Sequence, residues 1–529
     1  MSSQFSMKSY MKGALLLTVA SLIVKVLSAI YRVPFQNMVG DQGFYVYQQV
    51  YPFISLFVVW TSGGFAVAIS KLLADAENEQ MKQGITSTVF QYLTVLSLLF
   101  FSLLFFGADV LSSWMGDLSL APLLKTGAFV TLFMPALAVM KGTFQSRAMM
   151  EPVAYAQVFE QLIRVAVILI GTVIIMTAFS GTVYAAGNMA VLGTVIGELA
   201  GVILLFVYMR KSRLLFGKRA IIPKWPVIKE VTLFSVSVSM SSLLLLAFQL
   251  VDSFTIFSIL ADTGMPRIEA METKGIYDRG QPLVQLGIVI ASSFSLAIVP
   301  LVAYKSKKGS LGELPYIQLT YRASLLFGVA ASLGLILVMP YVNVLLFKTG
   351  ALSIVLMLYV LQIIPLSIIL TFTSVLQGYG KLKVPTAFLA GAFLVKLGGN
   401  ILFIPLVGIA GAALASNIGL FLCAAALMYY LKQYKNVKLA NGSFYKKLAV
   451  ASIAMALAIE AAVLVLDQII PFESTRMASI AYSGVLIMLG AFTFITIVAK
   501  LRLLSVREWF IIPFGRKMAM YQLWLNQKK

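Results

Sequence analysis

The stretch RKSRLLFGKRAIIPKWPVIKE, Arg210 to Glu230, decides how the chain is laid out. Seven cations and one acid lie there between two long apolar runs, and Pro223 and Pro226 oppose a continuous helix through it. A polytopic membrane chain keeps its positive charge on the cytoplasmic side. Placing this connection inside therefore fixes the side of every other connection.

Working outward, hydropathy gives fourteen apolar stretches, at 12–35, 44–70, 87–107, 121–145, 153–178, 184–209, 231–260, 282–304, 318–342, 351–379, 385–404, 408–431, 446–466 and 477–500. Each is close to the roughly 20 residues that cross a bilayer. With the amino end inside, the 41 Lys and Arg sort unevenly. The amino end, the even-numbered connections and the segment from Lys500 onward hold 29; the odd-numbered connections hold six: Lys125, Arg267, Lys274, Arg279, Lys348 and Arg476. Such a bias predicts a multi-pass protein of the cytoplasmic membrane with both termini cytoplasmic. The net charge of +21 is then a topology signal, and no nucleic-acid partner is expected.

Composition agrees: 60% of the 529 residues are apolar and 12% charged. The single cysteine, Cys423, falls in an apolar span, and histidine is absent, so neither a disulfide framework nor a thiolate metal site is expected. Any proton coupling falls to carboxylates. The first span, interrupted by Lys25 and without a small-residue cleavage site, reads as a membrane helix rather than a signal peptide. No Gly-rich loop ending in Lys-Ser/Thr occurs, so no nucleotide or other cofactor site is expected. The connections are too short for the acid-bearing outer loop of a polytopic glycosyltransferase, which leaves a transporter without catalytic residues as the leading reading.

Two correspondences point to an internal repeat. Pro135 lies in span four and Pro365 in span ten; Gln145 precedes Arg164 by 19 residues, and Gln377 precedes Lys396 by the same 19. Phe65-Ala66-Val67-Ala68-Ile69 in span two likewise resembles Phe294-Ser295-Leu296-Ala297-Ile298 in span eight. Both are offset by six spans. An even offset preserves orientation, predicting parallel lobes related by an axis along the membrane normal and suited to alternating access. The expected all-α organisation is an amino-terminal lobe over 1–220, a second six-helix lobe over 221–440, two further helices over 441–500 and a basic tail over 501–529. Trp509, Phe510, Phe514, Tyr521 and Trp524 suit that tail to an anionic lipid surface.

Charges within spans are costly and need a partner or a hydrated cavity. Lys25 and Arg32 are seven apart, hence expected on one helix face; Glu160 and Arg164, at i and i+4, are expected to pair within their helix. Asp252, Glu198 and Lys396 lack a local partner. Asp252 is open to three readings: the partner of Lys396, a coupling-ion site with Asn400 and Asn417 as oxygen donors, or part of an inert buried polar cluster. Arg279, just before the eighth span, is placed to lean into a cavity mouth. Cations outnumber acids in the spans, which favours an anionic ligand and disfavours a drug or cation antiporter.

Lys25, Arg32, Pro34, Val39-Gly40-Asp41-Gln42-Gly43-Phe44-Tyr45, Gly63-Gly64-Phe65 and Ile69-Ser70-Lys71-Leu72 together resemble the opening of lipid-linked sugar flippases of the multidrug/oligosaccharidyl-lipid/polysaccharide exporter superfamily. Gly275-Ile276-Tyr277-Asp278-Arg279-Gly280-Gln281-Pro282-Leu283, with Pro300, is similar to the SpoVB-like branch of endospore-forming bacteria, near the MurJ-type lipid II flippases. The resemblance implies an undecaprenyl-pyrophosphate-linked saccharide as substrate, with Lys25, Arg32, Asp41 and Arg279 at its headgroup, and cell-wall synthesis proteins as the class of partner. Two positions depart from the MurJ-type pattern. Phe57-Val58-Val59-Trp60 lacks its additional arginine, and Lys25 replaces a bidentate fork with a point charge.

Overall fold

The computed structural model describes residues 7–212, 214, 221–289, 314–381, 383–435, 438–469, 472, 475–512 and 515–527. Among these, regular structure is helical and no strand occurs. Eleven helical stretches are long and apolar enough to cross a bilayer. One of them, Leu16–Ala74, has 59 residues, nearly 90 Å of helix at about 1.5 Å per residue, and comprises two crossings. Gly40 divides it, at φ 68° and ψ −173°. Nothing lies within 4 Å of where its Cβ would sit, so backbone conformation rather than crowding requires glycine there.

The helix over the expected seventh span, Lys224–Asp262, has 39 residues. The expected eighth span is described only at its start, and Phe294–Ile298 and Pro300 lie outside the described residues. The count is consistent with the fourteen expected helices.

Contacts divide the chain into two compact units, Met1–Asp278 and Arg279–Lys529. This boundary differs from the expected one at 220/221. The reason is that Lys224–Asp262 packs into the first unit: Trp60 Nε1 donates to Ser235 Oγ at 3.3 Å, the Tyr92 and Thr232 hydroxyls lie 2.8 Å apart, and Gln49 Nε2 donates to the Ser253 carbonyl at 3.2 Å.

The first unit contains α1 (Met7–Ile30), α2 (Arg32–Val59), α3 (Ala66–Ala74), α4 (Glu79–Phe106), α5 (Ala108–Trp114), α6 (Ala121–Leu132), α7 (Met134–Ser146), α8 (Met150–Thr177), α9 (Val183–Lys211), α10 (Lys224–Asp262) and α11 (Arg267–Asp278). A π-helical turn, Trp60–Phe65, joins α2 to α3. Short polar residues start several helices where an apolar side chain would leave backbone donors unmet: Asn78 accepts from Met81 N, and Thr182 from Ala185 N. Helix α7 organises the core. Met134 and Ala138 pack with Phe65, Ile69, Val89 and Leu93, while Leu137, Met140 and Phe144 pack with Val153, Ala156, Leu205 and Met209.

The second unit contains α12 (Gly280–Gly287), α13 (Leu314–Phe347), α14 (Ser353–Val360), α15 (Ile363–Gly378), α16 (Lys383–Val407), α17 (Ile409–Lys435), α18 (Gly442–Ile469), α19 (Arg476–Lys500), α20 (Val506–Ile511) and α21 (Gly515–Gln527). The two in-span prolines mark equivalent interruptions. Span four breaks at Phe133, two residues before Pro135, and span ten breaks at Leu361 and Gln362, just before Pro365. A proline removes one backbone donor and crowds the preceding turn, so a break there costs little.

Candidate functional site

Arg32 opens α2 fully buried, and its surroundings are aromatic. Its guanidinium carbon stands 4.4 Å from the centroid of the Tyr51 ring. Tyr31 and Tyr47, whose hydroxyls are 2.7 Å apart, complete the enclosure. None of its three nitrogens makes a hydrogen bond of good geometry, and no carboxylate pairs with it among the described residues. A desolvated cation–π contact is worth about 2 kcal/mol, less than the several kcal/mol that burying an ion costs. The aromatic contact alone therefore does not offset the burial of the Arg32 charge, and the Asp278 carboxylate lies within electrostatic reach of it without a direct bond.

Other cations enclosed in this unit pair with acids. Lys141, fully buried on α7, reaches Glu160 on α8 at 2.9 Å and Ser62 of the π-helical turn at 3.0 Å. Arg164 on α8 pairs with Glu198 on α9 at 2.6 Å. This corrects the expected pairing of Glu160 with Arg164 within α8. Two buried carboxylates and two buried cations are all satisfied only if each acid takes its own partner, and the neighbouring helices supply those partners. Tyr51 is within electrostatic reach of both Arg32 and Arg164.

The remaining expected site residues have distinct settings. Lys25 on α1 is exposed, whereas Arg32, beyond the turn at Tyr31, is fully buried. Asp41 accepts from Gln36 Nε2 at 2.8 Å. The turn carrying Asp41 is clamped by α11, where Gly275 lies directly on the Asp41 backbone. Asp252 accepts from the Tyr277 hydroxyl at 3.4 Å. On the same helix as Tyr277, the Lys274 ammonium lies 2.5 Å from the Asp278 carboxylate. Burial pushes the Asp278 carboxyl up to about 6, against the opposing pull of Lys274.

In the second unit Arg279 is fully buried, so it does not lean into an open mouth as expected. Its Nη1 donates to Asn343 Oδ1 at 2.9 Å, and Asn343 Nδ2 donates in turn to the Ala351 carbonyl and to Ser353 Oγ. Phe347 lies beneath the guanidinium at 5.1 Å. Lys396, also fully buried, donates to the Ala412 carbonyl at 2.9 Å and to Ser416 Oγ at 2.6 Å. Asn400 is buried one turn along the same helix, and Asn417 spends its amide donors on the Leu358 and Ala413 carbonyls.

An apolar cleft of about 390 Å³ opens in the second unit among α13, α18 and α19. Leu326, Gly334, Met455, Gly490 and Phe494 line it, and Trp509 and Met518 reach it from α20 and α21. Sequence reasoning did not identify this cleft, the tyrosine enclosure of Arg32 or the Asn343 anchor. The Tyr47/Tyr51 spacing of four residues was the available signal for the enclosure.

The profile of the family described as polysaccharide biosynthesis protein matches residues 10–306. An uncharacterized membrane protein of Bacillus subtilis (strain 168), YabM, is 35% identical over 518 residues, 96% of each chain. The lipid II flippase MurJ of the same organism is 24% identical over 79% of this chain and 81% of its own. Its stage V sporulation protein B is 33% identical over 214 residues, 39% of this chain and 40% of its own. Among solved structures, lipid II flippase MurJ in an inward closed conformation superimposes with a TM-score of 0.70 at 16% identity, covering 92% of this chain and 99% of that one.

Proposed function

The chain belongs to the polysaccharide biosynthesis protein family, and from that membership we propose that it is a flippase moving an undecaprenyl-pyrophosphate-linked saccharide across the cytoplasmic membrane. The observation that carries this reading is Arg32. A buried guanidinium held by aromatic faces, with no carboxylate bonded to it among the described residues, gains from an anionic partner. A pyrophosphate-linked headgroup supplies such an anion, and a relative of this chain is named for moving one such lipid. Lys25, exposed on α1, adds positive charge along the approach.

The remaining parts fit the same substrate. The apolar cleft of the second unit offers a polyprenyl chain a lining of aliphatic and aromatic side chains. Arg279, anchored by Asn343, is a second candidate headgroup ligand once that anchor is exchanged for substrate. Alternating access of two lobes would move the headgroup without chemistry on the substrate, and no nucleotide-binding loop is present in the sequence to supply ATP. Asp252 and Asn400, buried in their respective units, are candidates for coupling the cycle to an ion gradient.

Depletion of the protein in cells, followed by assay of lipid-linked precursors on each membrane face, tests the reading. An undecaprenyl-linked saccharide should accumulate on the cytoplasmic face, and a stable Arg32→Ala, Arg279→Ala double variant should fail to clear it. Clearance by that variant at the wild-type rate would remove both arginines from the mechanism; unchanged levels of every lipid-linked saccharide on depletion would remove the function.

A further inference from the structure

We propose that α20 and α21 form a docking surface for anionic phospholipid, on the membrane face where the last span ends. The inference does not depend on which molecule the protein carries.

The segment is built into the fold. Ser505 and Glu508 form a reciprocal capping box at the start of α20, and Glu508 also pairs with Arg322 of α13. Trp509 turns inward, 3% exposed, and donates from Nε1 to Gln522 Oε1 at 2.7 Å, tying α20 to α21. Expectation had placed Trp509 on the lipid side; it instead closes one end of the apolar cleft with Met518. The Tyr521 hydroxyl lies 2.9 Å from Thr496 Oγ1, and Asn526 Nδ2 donates to the Ala499 carbonyl at 3.3 Å. Thr496 and Ala499 belong to the last turns of α19, which ends at Lys500. These bonds hold α21 level with the end of a membrane-spanning helix, the depth of lipid headgroups.

The outward face has a composition that this depth selects. Gly515, Ala519 and Gln522 are buried against the protein, whereas Arg516, Lys517, Met520, Leu523, Trp524 and Gln527 are exposed. Residues spaced by three, four and seven share one side of a helix, so two cations and three large apolar side chains present together. Phe510 and Ile511 extend the apolar surface from α20, at 58% and 44% exposure, and Arg507 beside them is also exposed. The only acid from Val506 to Gln527, Glu508, is consumed by its cap and by Arg322. Apolar side chains beside unneutralised cations, at headgroup depth, match a bilayer surface bearing negative lipid. A neutral surface would leave the cations without counterpart, and a protein partner would have to sit within the headgroup layer.

The test uses the intact chain in nanodiscs, with Cys423→Ala and a fluorophore on Gln527→Cys. Nitroxide-headgroup phosphatidylglycerol and nitroxide-headgroup phosphatidylcholine are compared as quenchers at equal mole fraction. One cation near an anionic surface is worth roughly a fivefold enrichment, so phosphatidylglycerol should quench several-fold more strongly. Arg516→Gln with Lys517→Gln should bring the two lipids close to parity, and Arg516→Lys should preserve the difference. Met520→Ser with Leu523→Ser and Trp524→Ser should reduce quenching by both. Raising the salt from low to high should shrink the preference in the unaltered helix, a measurement independent of whether the variants fold. Equal quenching by the two lipids in the starting protein, or a preference insensitive to salt, would overturn the proposal. A reporter quenched by neither lipid would overturn it in favour of a contact with protein.

Discussion

Lys141 and Arg32 are both fully buried cations of the first unit, yet they ask different things of their surroundings. Lys141 is neutralised by Glu160 at 2.9 Å. Removing one partner of a buried pair strands the other and typically costs about 3–5 kcal/mol. Lys141→Met should therefore lower the melting temperature in detergent clearly, and adding Glu160→Gln should recover most of the loss; a single variant that melts like the parent would show that the pair is not structural. Arg32 has no such partner, so its loss should be felt in transport rather than in stability. Asp278 offers a pH signature. Its folded-state value of about 6 lies above the ordinary carboxylate value of about 3.9, so the folded protein binds this proton more tightly than the unfolded chain. Its contribution to stability is full at low pH, is lost as the pH rises from about 4 to about 6, and stays lost above. Asp278→Asn carries no titrating proton, so the wild-type melting temperature should decline relative to that of the variant across this window. Parallel curves would reject the assignment.

At the scale of helices, the sequence made the spans and their interruptions legible because both follow from local chemistry. Apolar length sets a crossing, and a proline disfavours an unbroken helix, in keeping with the breaks at Phe133 and at Leu361–Gln362 just before Pro135 and Pro365. What meets what across helices was not legible. Lys141 reaches Glu160 nineteen residues away, and Arg164 reaches Glu198 thirty-four residues away, because helix rotation and approach decide which side chains face. Glycines on α9 set that approach. Gly193, Gly197 and Gly201 repeat every fourth residue, and a Cβ at Gly197 would stand 2.9 Å from the Glu160 carbonyl oxygen and 3.0 Å from Arg164 Cβ. Small residues at this spacing let two membrane helices close on each other. Gly197→Leu should push α8 and α9 apart and pull Arg164 from Glu198, with a loss of at least about 1–3 kcal/mol from overpacking alone. Crosslinking yield between cysteine pairs placed on α8 and α9, in a Cys423→Ala background, would read the separation; an unchanged yield and an unchanged melting temperature would show that the contact is not close enough to matter.

For the whole molecule, sidedness is the property most nearly written in the sequence, since it rests on how the 41 cations are shared among connections rather than on any single contact. The structure adds which of those connections can report it. Asp117 falls in an odd-numbered connection but is 2% exposed and accepts from the Tyr184 hydroxyl at 2.7 Å, so a cysteine there would be shielded whichever side it faced. Glu269 at the start of α11 and Lys348 after α13 are exposed and belong to odd-numbered connections; Lys224 before α10 and Arg507 in the tail are exposed and belong to the opposite set. Single cysteines at these four positions in the Cys423→Ala background should divide cleanly under an impermeant thiol reagent on intact cells. Glu269→Cys and Lys348→Cys should label, while Lys224→Cys and Arg507→Cys should label only after permeabilisation. The two members of each set come from different units, which makes the result a statement about the whole chain: an inverted unit would label one member of each set and not the other. Labelling of Lys224→Cys and Arg507→Cys in intact cells, with Glu269→Cys and Lys348→Cys protected, would reverse the orientation of the chain and with it the direction of the proposed transport.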